Sequence, residues 1–460
     1  MRRSTPRRAL AAVGLSLFFN SLLSFPSSAD ETPKASDPAT ERRLKELEQK
    51  LDVLTKEIEA LRLGESPSAA PTSAAATGAA VTPDSAESST THFGLGPAAA
   101  RVYAKRGVSI GGYGEALYQA FAASRQNGSP SGLTDTIDLS RAVLYFGYKF
   151  DDHFVFNSEL EVEHAVVASD KEGEAEVEFA YVDWLSPSKA FRARAGLLLV
   201  PMGFLNELHE PPTFFGARRN DVETLILPTT WRELGLGGYG EAGVFTYRLF
   251  LVNGLDSGSY TAEGIREGRQ EGSLAKVHDF ALTGRLDFVG VSGLVAGGSF
   301  FSGCSGQGRR TASREIVCGR TTVWDAHADF RWRGLSLRAL VAGSTVSDAA
   351  AINELNGFSG DGGVGSRQRG WYAEAGFDVL TLVPRTRLSL TPFVRYEEWD
   401  TQASVPDGFS RNPENDAWQW TAGVVFKPIP QVVLKLDGQW RRNAARTGVD
   451  QVNVALGYEF

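Results

Sequence analysis

From Gly107 to the C-terminus, apolar and polar residues alternate with a period of two. Ala142, Leu144, Phe146, Tyr148 and Phe150 interleave with Arg141, Val143, Tyr145, Gly147 and Lys149. After Asp151-Asp152, Phe154, Phe156, Ser158, Leu160 and Val162 interleave with Val155, Asn157, Glu159, Glu161 and Glu163. Val177, Phe179 and Tyr181 then stand against Glu174, Glu176 and Glu178, and two-faced runs recur at 280–288, 324–332, 418–426, 432–440 and 452–460. Side chains of a strand point alternately to its two faces, so each run predicts a strand with one apolar and one polar face. The strands are about ten residues long, longer than those of most sandwiches. Many apolar faces end in Trp, Tyr or Phe, as at a membrane interface, and charge runs through the middle of the other face. Strands in lipid must close on themselves, because lipid satisfies no open edge. The pattern predicts an all-β fold: a transmembrane antiparallel β-barrel of about 16 strands with an aqueous lumen. A secreted sandwich or propeller is the competing fold.

The first 106 residues lack this period. Residues 1–29 carry Arg2, Arg3, Arg7 and Arg8, an apolar run from Ala9 to Leu23, and Ser27-Ser28-Ala29, the pattern of a secretory signal peptide. In residues 30–63, Leu44, Leu47, Leu51, Leu54, Ile58 and Leu61 follow at spacings of 3, 4, 3, 4 and 3. That is a coiled-coil seam, with Arg43–Glu48 and Glu57–Arg62 placed for interchain pairs; a lone amphipathic helix is the alternative. Residues 64–106 turn to Ala, Ser, Thr, Pro and Gly, too poor in apolar surface to offset the entropy of ordering, and read as a flexible tether. Residues 107–460 are the barrel. Because the last strand ends the chain, both ends of the barrel and the coiled-coil helix are expected in the periplasm.

Composition narrows the chemistry. The formal charge of −8 over 460 residues argues against a nucleic-acid partner. Two cysteines and six scattered histidines form no metal-ligand pattern, so neither a metal nor a cofactor is expected. No nucleophile elbow, phosphate loop or zinc-protease signature is present, and the reading is of a non-enzyme. Cys304 and Cys318 flank the polar stretch SGQGRRTASREIV between two strands. In an exported chain this pair is expected to form a disulfide within an extracellular loop.

One inter-strand block is too long for a hairpin. Pro201, Pro211, Pro212 and Pro228 punctuate it, and Phe214, Phe215, Leu225, Ile226 and Leu227 need a surface to pack on. An inward fold is expected, with an external loop as the alternative. Arg218, Arg219 and Arg232 are then candidates for a constriction, with Glu207, His209 and Glu210 opposite them. Glu159, Glu161, Glu163, Glu174, Glu176 and Glu178 share one hairpin face. They are expected to be hydrated at the wide end of the lumen, a divalent cation being the alternative.

The terminal VNVALGYEF resembles the C-terminal signal of bacterial outer-membrane proteins, in which a final aromatic residue, here Phe460, is read by the barrel assembly machinery. The exported coil and tether, GVSIGGYGEALYQ, SRAVLYFGYKF, FNSELEVEHA and the block from PMGFLNELHEPP to GLGGYGEAG resemble the phosphate-selective porin O/P family and related porins. The resemblance implies a homotrimeric porin in outer-membrane lipid that passes small hydrophilic solutes or ions, anions such as phosphate among them. The phosphate-specific members hold their anion with an arginine ladder and a lysine cluster. Here Arg141, Lys149, Arg192, Arg194, Arg248, Arg285 and Arg331 stand among many acids, so a weakly selective channel is expected. The alternative is a structural anchor carrying a periplasmic spacer.

Overall fold

The computed structural model describes residues 95–168, 171 and 173–460; the expected signal peptide, the coiled-coil seam and most of the tether lie outside them. Sixteen strands follow one another: β1 (Gly107–Phe121), β2 (Thr136–Lys149), β3 (Phe154–Glu163), β4 (Ala175–Leu185), β5 (Arg192–Leu199), β6 (Arg232–Ala242), β7 (Phe245–Asn253) and β8 (Phe280–Phe288). The second half comprises β9 (Leu294–Gly303), β10 (Thr321–Trp332), β11 (Leu335–Val346), β12 (Arg367–Phe377), β13 (Ser389–Ser404), β14 (Asp416–Ile429), β15 (Val432–Asn443) and β16 (Gln451–Glu459). Each pairs antiparallel with its sequence neighbours, and β1 pairs with β16 from Tyr113↔Glu459 to Phe121↔Gln451. The sheet is closed and no edge is left unpaired.

One end of the barrel carries tight turns. At Arg333-Gly334 both residues take positive φ, 46° and 84°, as a two-residue turn matched to strand twist requires. Both barrel termini lie at this end, and the other end carries the long connections, including 200–231, 254–279 and 347–366. Outside, Phe146, Trp324, Trp371, Trp420, Trp440 and Leu456 are exposed; inside, Glu159, Asp287, Asp437 and Asn453 are buried. This inverts the layout of a soluble protein and gives the wall an apolar outer band, as a lipid environment demands.

Within the fold, two points depart from the sequence reading. In β4, Glu159 pairs with Phe179 but Leu160 pairs with Val177, so Glu178 is the extra residue of a bulge. Val177 still faces outward, whereas Phe179 and Tyr181 point into the lumen and are buried. One unpaired residue reverses every face beyond it, and strict alternation had put both rings on the lipid side. The second correction is the tether. Its last residues are not free: Leu95, Ala98, Ala99, Ala100 and Val102 are buried, most of them in a cluster with Tyr113, Tyr145, Phe179, Tyr181 and Leu199 of the wall.

Candidate functional site

Residues 200–231 leave β5 and return to its neighbour β6, yet cross the whole lumen between them. Asn206 closes the neck of this inner loop. Its amide donates to the carbonyls of Val200 (2.5 Å) and Trp231 (2.8 Å), and its oxygen accepts the Trp231 N–H at 2.5 Å. The far side is held by wall carboxylates that accept loop N–H groups: Asp325 on β10 from Gly203 (3.1 Å), Glu397 on β13 from Asp221 (2.7 Å) and Asp437 on β15 from Ala217 (2.5 Å). Lys435 on β15 donates to the Gly216 carbonyl at 2.8 Å, with its ammonium 3.6 Å from the centroid of Phe214. Buried backbone polar groups need partners, and here charged wall residues supply them. Val222, Ile226, Leu227 and Trp231 complete the seat as apolar, fully buried side chains.

The charged candidates are brought together, but not in the expected pairs. Arg232 meets Glu178 at 3.0 Å, Glu176 at 2.5 Å and Glu271 at 3.6 Å. Glu207 pairs instead with Arg248 at 3.1 Å and Arg285 at 3.6 Å on the adjoining wall. Arg285 also donates to the Gly203 carbonyl. His209 lies 3.2 Å from Glu159, and Tyr145 donates to Glu210 at 3.3 Å. Arg218 and Arg219 are half-buried on the loop, Arg219 close enough to Glu159 and Glu161 to act on them electrostatically. No row of loop acids therefore opposes a row of loop arginines. The loop is so long that its charges reach different wall strands before they meet one another.

The acidic hairpin face is likewise not a hydrated rim. Glu159, Glu161 and Glu178 are buried, and Arg141 on β2 lies 3.5 Å from Glu115, 3.5 Å from Glu161 and 3.8 Å from Glu163. Oxygens of Glu161, Glu176 and Glu178 come within 4.8 Å of one another. Arginines on β2, β6 and the inner loop supply the counter-charge that lets these carboxylates sit so close. Glu174 stands apart, exposed just before β4.

Two loop groups have displaced titration. Burial pushes the Glu210 carboxyl up to about 7. Burial, and then the Arg219 guanidinium, hold the His209 imidazole down at about 4, so it is neutral at pH 7. The residues missed from sequence are those that anchor the loop: Glu223, Asp325, Tyr372, Glu397, Lys435 and Asp437. Glu223 lies on the loop itself; the signal of the others was present as polar residues at mid-strand, Lys435 within VVLKLDGQW above all, but nothing marked which of them a distant loop would meet. Cys304 and Cys318 are bonded, with Cα atoms 4.9 Å apart, in the connection between β9 and β10 at the long-loop end.

No family model matches the chain. An uncharacterized protein of Aquifex aeolicus is 39% identical over 357 residues, covering 75% of this chain and 78% of that one. Among solved structures, Salmonella typhi OmpF, in complex with daunomycin, superposes with a TM-score of 0.51 at 11% identity over 77% of this chain and 97% of that chain. The anion-selective porin of Comamonas acidovorans gives 0.48 at 13% identity over 77% and 99%. At such identities the OmpF likeness speaks to the fold alone, a closed barrel of the porin kind.

Proposed function

We propose that this chain, which belongs to the same family as the Aquifex aeolicus protein, is an outer-membrane porin, a passive diffusion channel for small hydrophilic solutes or ions. One observation carries the reading. An apolar outer band encloses a charged lumen, and a loop bearing both signs of charge is pinned across that lumen. A pinned loop narrows the passage to a fixed size, and its charges set which ions enter it. Because arginines and acids pair around the crossing, selectivity is weak, and phosphate is one permeant anion among others. The sequence resemblance to the phosphate-selective porin O/P family supports this class without requiring a phosphate-specific site. The same reading puts the N-terminal coil in the periplasm, joins three barrels through it, and makes Phe460 the residue presented to the assembly machinery.

Liposome swelling tests it. Vesicles carrying the folded barrel should swell in small sugars, at rates that fall steeply with sugar size. Vesicles that behave like protein-free controls with every sugar would oppose it. They would favour the second reading, a membrane anchor with a periplasmic spacer, which the crowding of the lumen by two chain segments supports.

A further inference from the structure

We propose that Leu95–Tyr103 is an internal plug that restricts the periplasmic half of the lumen and shifts aside for full conduction, a regulation that rests on the channel reading above. The segment enters the barrel from the short-turn end. Arg106 Nε donates to the Phe150 carbonyl (2.8 Å) at that rim, and Lys149 Nζ donates to the Tyr103 carbonyl (3.1 Å). Deeper in, the Tyr103 hydroxyl donates to Asp183 (2.7 Å) and the Asn157 amide to the Ala99 carbonyl (3.0 Å). At its inner end Gly96 lies against the Glu210 carboxyl of the inner loop. The plug therefore reaches from the mouth to the constriction.

The wall is shaped to receive it. A Cβ on Gly147 would overlap the Val102 side chain, and one on Gly111 would stand 3.1 Å from the Ala98 carbonyl. Beneath the segment lie Tyr145, Phe179 and Tyr181, nearly parallel rings with centroids 6.0 and 5.3 Å apart. Such a surface faces water in an open lumen; here it is buried.

Two features make the contact reversible. The segment contributes no ladder to the barrel, since β1 pairs with β2 and β16 only from Gly107 onward, so its withdrawal breaks no strand pairing. It also seats mainly small residues, Gly96 and Ala98 to Ala100, which bury little apolar surface each.

The test compares single-channel conductance of the full chain with that of a variant lacking residues 95–104, each shown to be folded by heat-modifiable migration. The deletion should raise conductance about twofold or more, because the channel's narrow length shortens and widens. A second variant, Ala99→Cys with Asn157→Cys, ties the segment to its seat. Oxidised, it should hold the low conductance and lose any larger openings, and reduction should restore them. Equal conductance of deletion and full chain would overturn the plug while leaving the channel reading intact. Folded barrels silent in both forms would overturn both.

Discussion

The Tyr372 hydroxyl donates to the Glu223 carboxylate at 2.6 Å, joining wall strand β12 to the inner loop. The other oxygen of Glu223 accepts the N–H groups of Phe204 and Leu205, each at 2.7 Å. One buried carboxylate thus holds two arms of the loop to each other and to the barrel. Asn220 Nδ2 also donates to this carboxylate, at 3.2 Å, so Glu223→Ala strands four donors, each at a cost of about 1–3 kcal/mol. The variant is expected to keep the barrel's heat resistance but to show larger and noisier single-channel currents. Tyr372→Phe removes one bond, about 1 kcal/mol, and should give a weaker form of the same change.

Arg218 and Arg219 are the half-buried positive charges on the crossing segment. Replacing both with Ala removes two positive charges from the passage while sparing Arg232 and its carboxylate partners. The reversal potential in a salt gradient should move toward cation preference. An unchanged potential would place both side chains off the ion path.

Glu210 supplies a pH dependence. Its carboxyl titrates at about 7 in the folded protein, above its ordinary value of 4.5. The folded state therefore binds more protons than the unfolded one across that interval, and the contribution of Glu210 to stability falls as pH rises through it. In the channel, raising the pH from about 6 to 8 adds a negative charge beside the constriction, so cation preference should increase. His209, held down at about 4, stays neutral throughout and does not mask the effect. Glu159, Glu459 and Tyr145 also face this carboxyl. Reversal potentials of wild type and Glu210→Gln measured across that range check the assignment, and the variant should lose the pH response.

The Cys304–Cys318 disulfide closes a loop with a sequence separation of 14. A bridge over such a loop contributes about 3 kcal/mol in the chain-entropy model. The barrel is already closed by β1 and β16, so the benefit should appear as loop rigidity. Cys304→Ser with Cys318→Ser is expected to leave heat resistance nearly unchanged and to make residues 305–317 a protease site. Protection of that stretch in the double variant would show that other contacts hold it.

Strand identity and inside–outside sense were legible because a closed wall makes each residue choose between lipid and lumen. That choice is written at every second position, as in β10, where Trp324 and Ala326 face out and Asp325 and His327 face in. The β4 bulge was not legible, since Glu178 and Phe179 carry no local mark of which one is left unpaired. The inward fold of the 200–231 loop could be inferred from its unpaired apolar residues. Its anchors could not, because Gly203 and Asp325, or Ala217 and Asp437, meet only through the closed barrel. The burial of Glu159 and Glu161 was misjudged for the same reason: their neutralising arginines come from β2 and the inner loop, not from their own hairpin.

The most direct measurement is single-channel conductance of the folded full chain in planar bilayers, recorded beside the variant lacking residues 95–104. The account predicts discrete current steps, larger in the variant, with a reversal potential that shows only weak ion preference. Folded barrels that insert but carry no current in either form would contradict it.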